Sequence, residues 1–412
     1  MKSRDISTPV YIFLAALAVR LVYVVFFFGL TLVLDADSAD YLGYAKNIVA
    51  GLGFTNGTYH ASRPPGYSYF IAAVYSIFGQ SVPILKTAQI FVSALIPVFI
   101  YLIGRRVTSR KTAVIAGGFA CLYFGLVREP ARILSESTFT CLFAFSILLL
   151  LESGKSKAYA AACGAALAFT ALTRPVGLLV PPFAILWLLL RFPAKKALKT
   201  GVMVLLAFVA IMTPWWYRNY RVFGAFIPVC LETGFATKAT HAPPHSPPQY
   251  LCSNENLPEL EKDRQDLKDG LSVIKARGAR EFLKGGLITM FTFLYPFMPA
   301  YDLTYVLIIP LWLFGVYFVL RTKNIQALSL FVMFEYFPLT FAFCGTTRYR
   351  HTLGPYFILL AAIGAEELWR RIKDKKLEKA ALSAAGLWIG LNLTILIYSE
   401  PVRLLVKRTF WQ

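Results

Sequence analysis

The sequence predicts an all-α polytopic membrane protein of about eleven transmembrane helices, with in-plane interfacial helices in its first outer loop. Three observations predict it. Of 412 residues, 57% are apolar and only 16% are charged, against roughly 45–50% and about 25% in soluble domains. The apolar residues come in blocks, such as 11–34, 84–103 and 380–398, and a bilayer core asks for about 20 residues per helix. Finally, the surplus of Lys and Arg, 42 against 22 Asp and Glu, falls mostly in short loops between those blocks. That pattern is the mark of cytoplasmic loops. It removes nucleic acid as the partner that a net charge of +20 would suggest in a soluble chain. A soluble enzyme, a secreted disulfide scaffold and a disordered chain are excluded together.

Lys2 and Arg4 place the N-terminus inside. The first apolar block is too long for a signal-peptide core, and no small-residue cleavage site follows it. Spans are expected at about 9–30, 82–104, 112–127, 137–151, 158–172, 176–190, 200–217, 303–320, 325–343, 354–369 and 380–398. The segments that this puts inside (2–4, 105–111, 155–157, 191–199, 321–323 and 370–379) hold twenty cations on alternate loops, as insertion demands. Residues 1–398 then form one transmembrane catalytic domain, and 399–412 a tail. Two outer segments are too long for turns, 31–81 and 218–302. The second carries a Pro-rich stretch over 242–248 and a charged helical run over 259–281, which suits a loop that orders on binding and interfacial helices. The six cysteines show no metal-ligand spacing. Cys230 and Cys252 both fall outside, where a disulfide between them can form.

The first outer loop is the most informative. In Asp37-Ser38-Ala39-Asp40-Tyr41, helical spacing puts Asp37, Asp40, Tyr41 and Tyr44 on one face. Leu42, Ala45, Ile48, Val49 and Leu52 lie on an adjacent apolar face. The segment is too short to span, so it is expected in the membrane plane with that apolar face toward lipid. Asp37 reads either as a helix N-cap or as a functional carboxylate, Asp40 as its solvated partner, and Asp35 as a boundary residue. A second short helix is announced by Arg63-Pro64-Pro65-Gly66-Tyr67, with Tyr67, Phe70, Ile71, Val74, Ile77 and Phe78 at helical spacing. Arg63 at its N-terminal end makes an anion site, or else an arginine snorkelling to headgroups.

Several other arginines break the inside rule: Arg128, Arg132, Arg174, Arg218, Arg221, Arg348 and Arg350 all fall at outer ends of spans or in outer loops. Arginines gathered at a lipid–water boundary suit an anionic headgroup such as a phosphate. Glu136, at the start of the fourth span, is expensive there unless an arginine pairs with it. Pro214, Trp215, Trp216 and Tyr217 make an aromatic belt before Arg218 and Asn219. Asp37, Asp40 and Glu136 could also hold a divalent metal, although no spacing rule asks for one; no other cofactor is expected.

In this order the motifs resemble the GT-C class of membrane glycosyltransferases, in particular bacterial members related to the dolichyl-phosphate-mannose protein mannosyltransferases and to the lipid A aminoarabinose transferase. Asp37-Ser38-Ala39-Asp40-Tyr41 is similar to the family's Asp-Glu-x-x-Tyr helix after the first span, with Ser38 where many relatives carry Glu. Arg63 to Gly79, Pro214 to Gly224, Arg348-Tyr349-Arg350, Leu134-Ser135-Glu136 and Leu172-Thr173-Arg174-Pro175 resemble its later outer-face motifs. The resemblance implies an inverting transfer of one hexosyl or pentosyl group from a polyprenyl-phosphate-linked donor to a hydroxyl of a glycolipid, envelope polymer or protein. It places this on the outer face of a bacterial inner membrane. Asp37 would be the base, and Arg63, Arg174, Arg348 and Arg350 would bind the donor phosphate. Asp40, Tyr41, Tyr67, Arg132, Glu136, Arg218 and Asn219 would support them. The other classes that gather outer arginines are a lipid-linked-saccharide flippase and an oligosaccharide polymerase or ligase. A transporter would hold its binding groups nearer the midplane.

Overall fold

The computed structural model describes all residues except 1–3, 34, 243–245, 295–301, 325, 343–346, 374–377, 399 and 402–412. Lys2, Cys344, Lys375, Lys376 and most of the tail therefore lie outside the described residues. No strand occurs among those described.

Helix α1 (Arg4–Val22) continues through a π-helical turn, Tyr23–Phe28, so that Ser7–Phe28 is one apolar span. Arg20, inside this span, is fully buried and donates from Nε to Ser93 Oγ at 2.8 Å. The outer loop opens with α2 (Ala36–Val49) and α3 (Pro65–Phe78), followed by the long α4 (Val82–Val107), which packs against α1. Next come α5 (Arg110–Leu122) and α6 (Phe124–Arg128), which meet at a 51° bend. Helices α7 (Glu136–Glu152), α8 (Lys157–Thr173), α9 (Val180–Arg191) and α10 (Ala194–Phe223) follow. The second outer loop holds α11 (Thr233–Thr240) and α12 (Glu259–Leu294). After it come α13 (Leu303–Thr322), α14 (Tyr336–Ala342), α15 (Thr347–His351), α16 (Gly354–Lys373) and α17 (Glu378–Ile397).

Helices α13 and α16 approach closely because each has a glycine at the crossing. A Cβ on Gly315 would lie 2.0 Å from the Leu360 carbonyl, and one on Gly364 2.1 Å from that of Leu311. Small residues that let backbones touch are how helices associate where lipid removes the hydrophobic incentive.

Helices form at nearly every expected span, but unequally. Among the described residues four are long and apolar enough to cross a bilayer, Ser7–Phe28, Val82–Val107, Ala194–Phe223 and Leu303–Thr322, and the bent α5–α6 pair makes five. Helices α7 and α8 are 17 residues each, and α16 ends in a charged turn. The span expected at 325–343 is broken instead into a 3-10 segment, Ala327–Glu335, and α14.

The two loop helices fall where the sequence puts them, with Pro64 at the N-cap of α3 and Pro65 at its first position. Their surroundings differ from expectation. The apolar face of α2 is not left to lipid: Ala45 is buried, and Leu42, Ile48 and Val49 pack with Tyr67, Ile71 and Val74 of α3. Two short amphipathic helices remove apolar area from contact with solvent most directly by covering each other. Only Leu52, beyond the helix, stays out, 68% exposed. Cys230 and Cys252 are free thiols, so the disulfide between them does not form.

Candidate active site

Asp37 sits in the first turn of α2. The N-cap is Asp35, in extended conformation and making no side-chain cap bond, so capping does not account for Asp37. Asp35 instead pairs with Arg132, whose Nε donates to its Oδ2 at 2.9 Å. Arg63 immediately precedes the two prolines. Its position depends on Gly66, because a Cβ there would lie 2.7 Å from Thr173 Oγ1 and 2.9 Å from the Thr173 nitrogen. The start of α3 thus rests directly on the end of α8, where Arg174 is held extended before Pro175. Replacing Gly66 by alanine is expected to cost about 1–3 kcal/mol through overpacking and to separate Arg63 from Arg174. Thermal melting alongside a lipid-phosphate binding assay checks it.

From these placements a line of alternating charges results. Arg63 donates from Nη1 to Glu232 Oε1 at 2.8 Å, from Nε to Asp40 Oδ2 at 3.0 Å and from Nη2 to Asp37 Oδ1 at 2.8 Å. The other Asp37 oxygen accepts from Arg348, at 3.2 Å from Nη2 and 3.3 Å from Nη1. Arg348 Nε lies 2.8 Å from Glu136 Oε1, and Arg174 Nη1 lies 3.0 Å from the same oxygen. Both are ion pairs by distance, although neither N–H points along a hydrogen-bond line to that oxygen. Arg174 also donates to Ser135 Oγ at 3.1 Å and lies over the Tyr349 ring at 4.8 Å. Glu136 is 1% exposed while Asp37, Asp40 and Arg348 are 27–34% exposed, so the line runs from a buried end toward an accessible one.

Burial opposes the charge of Arg63, but Glu232 and Asp37 outweigh it and hold the guanidinium charged well above its usual range. For Glu232 burial pushes the carboxyl up, against the pull of Arg63 and Arg174. Two buried tyrosines brace the site: the rings of Tyr41 and Tyr67 meet edge to face at 4.9 Å. The Tyr67 hydroxyl bonds Gln89, and Gln89 Nε2 donates to the Arg132 carbonyl at 3.1 Å.

The structure therefore brings together Asp37, Asp40, Arg63, Glu136, Arg174 and Arg348, with Tyr41, Tyr67 and Arg132 beside them. Arg350 is not among them. It is fully buried, donates from Nη1 to the Phe293 carbonyl at 3.0 Å and lies over the Tyr305 ring at 4.2 Å. Two residues along a helix from Arg348, it points to a different face, so the expected phosphate contact is corrected. Arg218 and Asn219 are structural. Arg218 donates to the His60 and Phe54 carbonyls, each at 2.7 Å, and Asn219 to that of Ile227 at 3.1 Å. Glu232 is the member that sequence reasoning missed. It is one carboxylate among many in the second outer loop, and no spacing marks it. As for a metal, the donor set does not suit one: Asp37, Asp40 and Glu136 each already face a guanidinium. No group of three or more His, Cys, Asp or Glu that could hold an ion occurs among the described residues.

Residues 62–217 match the family model described as dolichyl-phosphate-mannose-protein mannosyltransferase. That stretch includes Arg63, Arg132, Glu136 and Arg174 but neither Asp37 nor Arg348. No curated protein matches the chain by sequence. Among solved structures the chain is similar to an Archaeoglobus fulgidus oligosaccharyltransferase in the apo form, at 13% identity and TM-score 0.60, covering 98% of this chain and 55% of that chain. It is similar also to the oligosaccharyltransferase AglB of the same organism, in complex with an inhibitory peptide and a dolichol-phosphate. There the identity is 12% and the TM-score 0.58, over 96% of this chain and 55% of that one. ArnT from Cupriavidus metallidurans bound to undecaprenyl phosphate gives 15% identity and TM-score 0.43, over 86% and 77%. The chain spans about half the length of the oligosaccharyltransferases. The chain is thus an all-helical protein with several helices apolar enough to cross a membrane; it shares its fold along nearly its whole length with the oligosaccharyltransferases, and its residues 62–217 resemble the dolichyl-phosphate-mannose-protein mannosyltransferases.

Proposed function

We propose that the chain is an inverting glycosyltransferase that moves one sugar from a polyprenyl-phosphate-linked donor to an acceptor hydroxyl. The acceptor is a glycolipid, an envelope polymer or a protein, and the site faces outward from a bacterial cytoplasmic membrane. The first outer loop, 31–81, supplies the chemistry, and the second, 218–302, gates it. The observation that carries this reading is the run of Arg63, Arg348 and Arg174 along one line, interleaved with carboxylates. Guanidinium forks match phosphate geometry, and the charge pattern of the sequence puts these three on the outer side.

In this reading the donor's phosphate takes guanidinium edges that Asp37 and its neighbours now hold. Asp37, released from one of them, accepts the proton as the acceptor oxygen bonds the anomeric carbon. The bond from that carbon to the phosphate oxygen breaks with its electron pair on the leaving polyprenyl phosphate, whose charge the arginines stabilise. Attack opposite the leaving group inverts the anomeric centre. No step requires a metal. The deciding experiment incubates purified chain with a panel of polyprenyl-phosphate sugars and acceptors and reads free polyprenyl phosphate. Release with some donor is expected. Binding and movement of such lipids across vesicles with no release from any of them would replace this reading by the flippase.

A further inference from the structure

Each of the three nitrogens of Arg63 already donates to a carboxylate, Nε to Asp40, Nη2 to Asp37 and Nη1 to Glu232. A lipid phosphate that grips this guanidinium with two oxygens must compete with one of those carboxylates. Asp37 and Asp40 are one turn apart on α2, and each has a further partner, Arg348 for Asp37 and Asn56 Nδ2 at 3.1 Å for Asp40. The Glu232 carboxylate has no second hydrogen bond or ion pair among the described residues. It belongs to the other outer loop, and its side chain, 37% exposed, lines a cavity of about 210 Å³ between the two loops. The cavity's frame is fixed without it. Glu259 accepts from the backbone nitrogens of His60 at 2.6 Å and Ala61 at 2.8 Å, and the Tyr59 hydroxyl donates to Glu255 at 2.7 Å.

We infer that Glu232 is an internal competitor for the donor's phosphate: its carboxylate occupies the edge of Arg63 that the lipid must take, and its withdrawal joins that edge to the cavity from which an acceptor arrives. Only the identity of the anion rests on the transferase reading.

Charge balance supports the choice. Three guanidiniums, of Arg63, Arg174 and Arg348, face four carboxylates, of Asp37, Asp40, Glu136 and Glu232. A phosphate adds to the excess, which a proton on Glu232 relieves. The other titratable groups facing Glu232 are Tyr41 on α2 and Cys230 on its own segment, both neutral, Tyr59 of the first loop, and Glu255, Glu259, Lys262, Asp263 and Asp266 across the cavity. Lys262 is already paired with Asp266 at 2.9 Å. Partial burial and the neighbouring Asp37 carboxylate hold the Glu232 carboxyl above its usual range even while Arg63 pulls it down, so loss of that partner raises it further. Phosphate binding then takes up a proton, and affinity rises as pH falls through the titration of Glu232.

The test measures undecaprenyl phosphate binding to the detergent-solubilised full chain across pH, for wild type and Glu232→Gln, with thermal melting as a check on folding. Removing the competitor should tighten binding about tenfold near neutral pH, by raising the fraction of binding-competent sites. It should also abolish the part of the pH dependence that exceeds the lipid's own titration. Unchanged or weaker binding by a folded variant overturns the inference. If Glu232→Gln does not fold, Glu232→Asp serves. Its shorter arm leaves Nη1, so tighter binding with the pH dependence retained is expected, and unchanged affinity counts against. If neither wild type nor variant binds the lipid, it is the transferase reading that fails.

Discussion

Asp37→Asn is expected to lower sugar transfer by about 10²–10⁴-fold, the usual worth of a positioned general base, while leaving lipid-phosphate binding at or above the wild-type level. Asparagine keeps the shape and one acceptor oxygen, so Arg63 or Arg348 keeps a partner, but it cannot take the proton of an acceptor hydroxyl. Removing its charge also takes one anion from the edge that the phosphate approaches. The first effect shows in turnover and the second in binding, so both are measured on the same preparation. Full transfer by the variant would move the base role to another carboxylate. Loss of binding and transfer together would make Asp37 a scaffold for its two arginines.

Arg63→Lys should be nearly as damaging as Arg63→Ala, each weakening donor affinity by about 10²-fold, the effect of losing one oriented charged contact at such a site. A lysine keeps the positive charge, and if charge alone mattered the substitution would be mild. Arg63, however, uses its planar fork to reach three carboxylates from three different nitrogens, Nε, Nη1 and Nη2, at 2.8–3.0 Å. A single ammonium centre cannot span that geometry. Without the fork Asp37, Asp40 and Glu232 face one another with one point charge among them, and the two outer loops lose their link at that point. Binding of undecaprenyl phosphate separates the cases: Arg63→Lys retaining wild-type affinity would show that simple charge suffices.

Much of this was legible in the sequence, because its signals are local. The two loop helices follow from apolar spacing and the Pro64-Pro65 start. The grouping of Asp37, Asp40 and Tyr41 follows from one helical turn, and Arg63, Arg174 and Arg348 stood out because they sit where insertion disfavours them. What was not legible depends on distant partners. The apolar face of α2 could equally meet lipid or α3, and only the fold decides. Arg348 and Arg350 are indistinguishable by type and location, and the turn of α15 sends one to Asp37 and the other into a buried contact with Tyr305. Glu232 carries no local mark at all, since its significance comes from the backbone nitrogen of Leu231, which donates to the Ala61 carbonyl at 2.8 Å. Arg20 stands inside an apolar block with no local mark, because its partner, Ser93 of α4, lies 73 residues away.

Asp37 and Arg348 are 311 residues apart in the chain yet share a carboxylate oxygen. A nascent polypeptide threading into the bilayer thus exposes its acidic loop long before the last cation of the set has left the ribosome. During that interval nothing caps one oxygen of Asp37, and no complete cradle exists to hold a prenyl lipid. Competence is conferred at a single late moment of synthesis. On the function proposed above, a product released before Arg348 is made carries an incomplete cradle for the lipid phosphate.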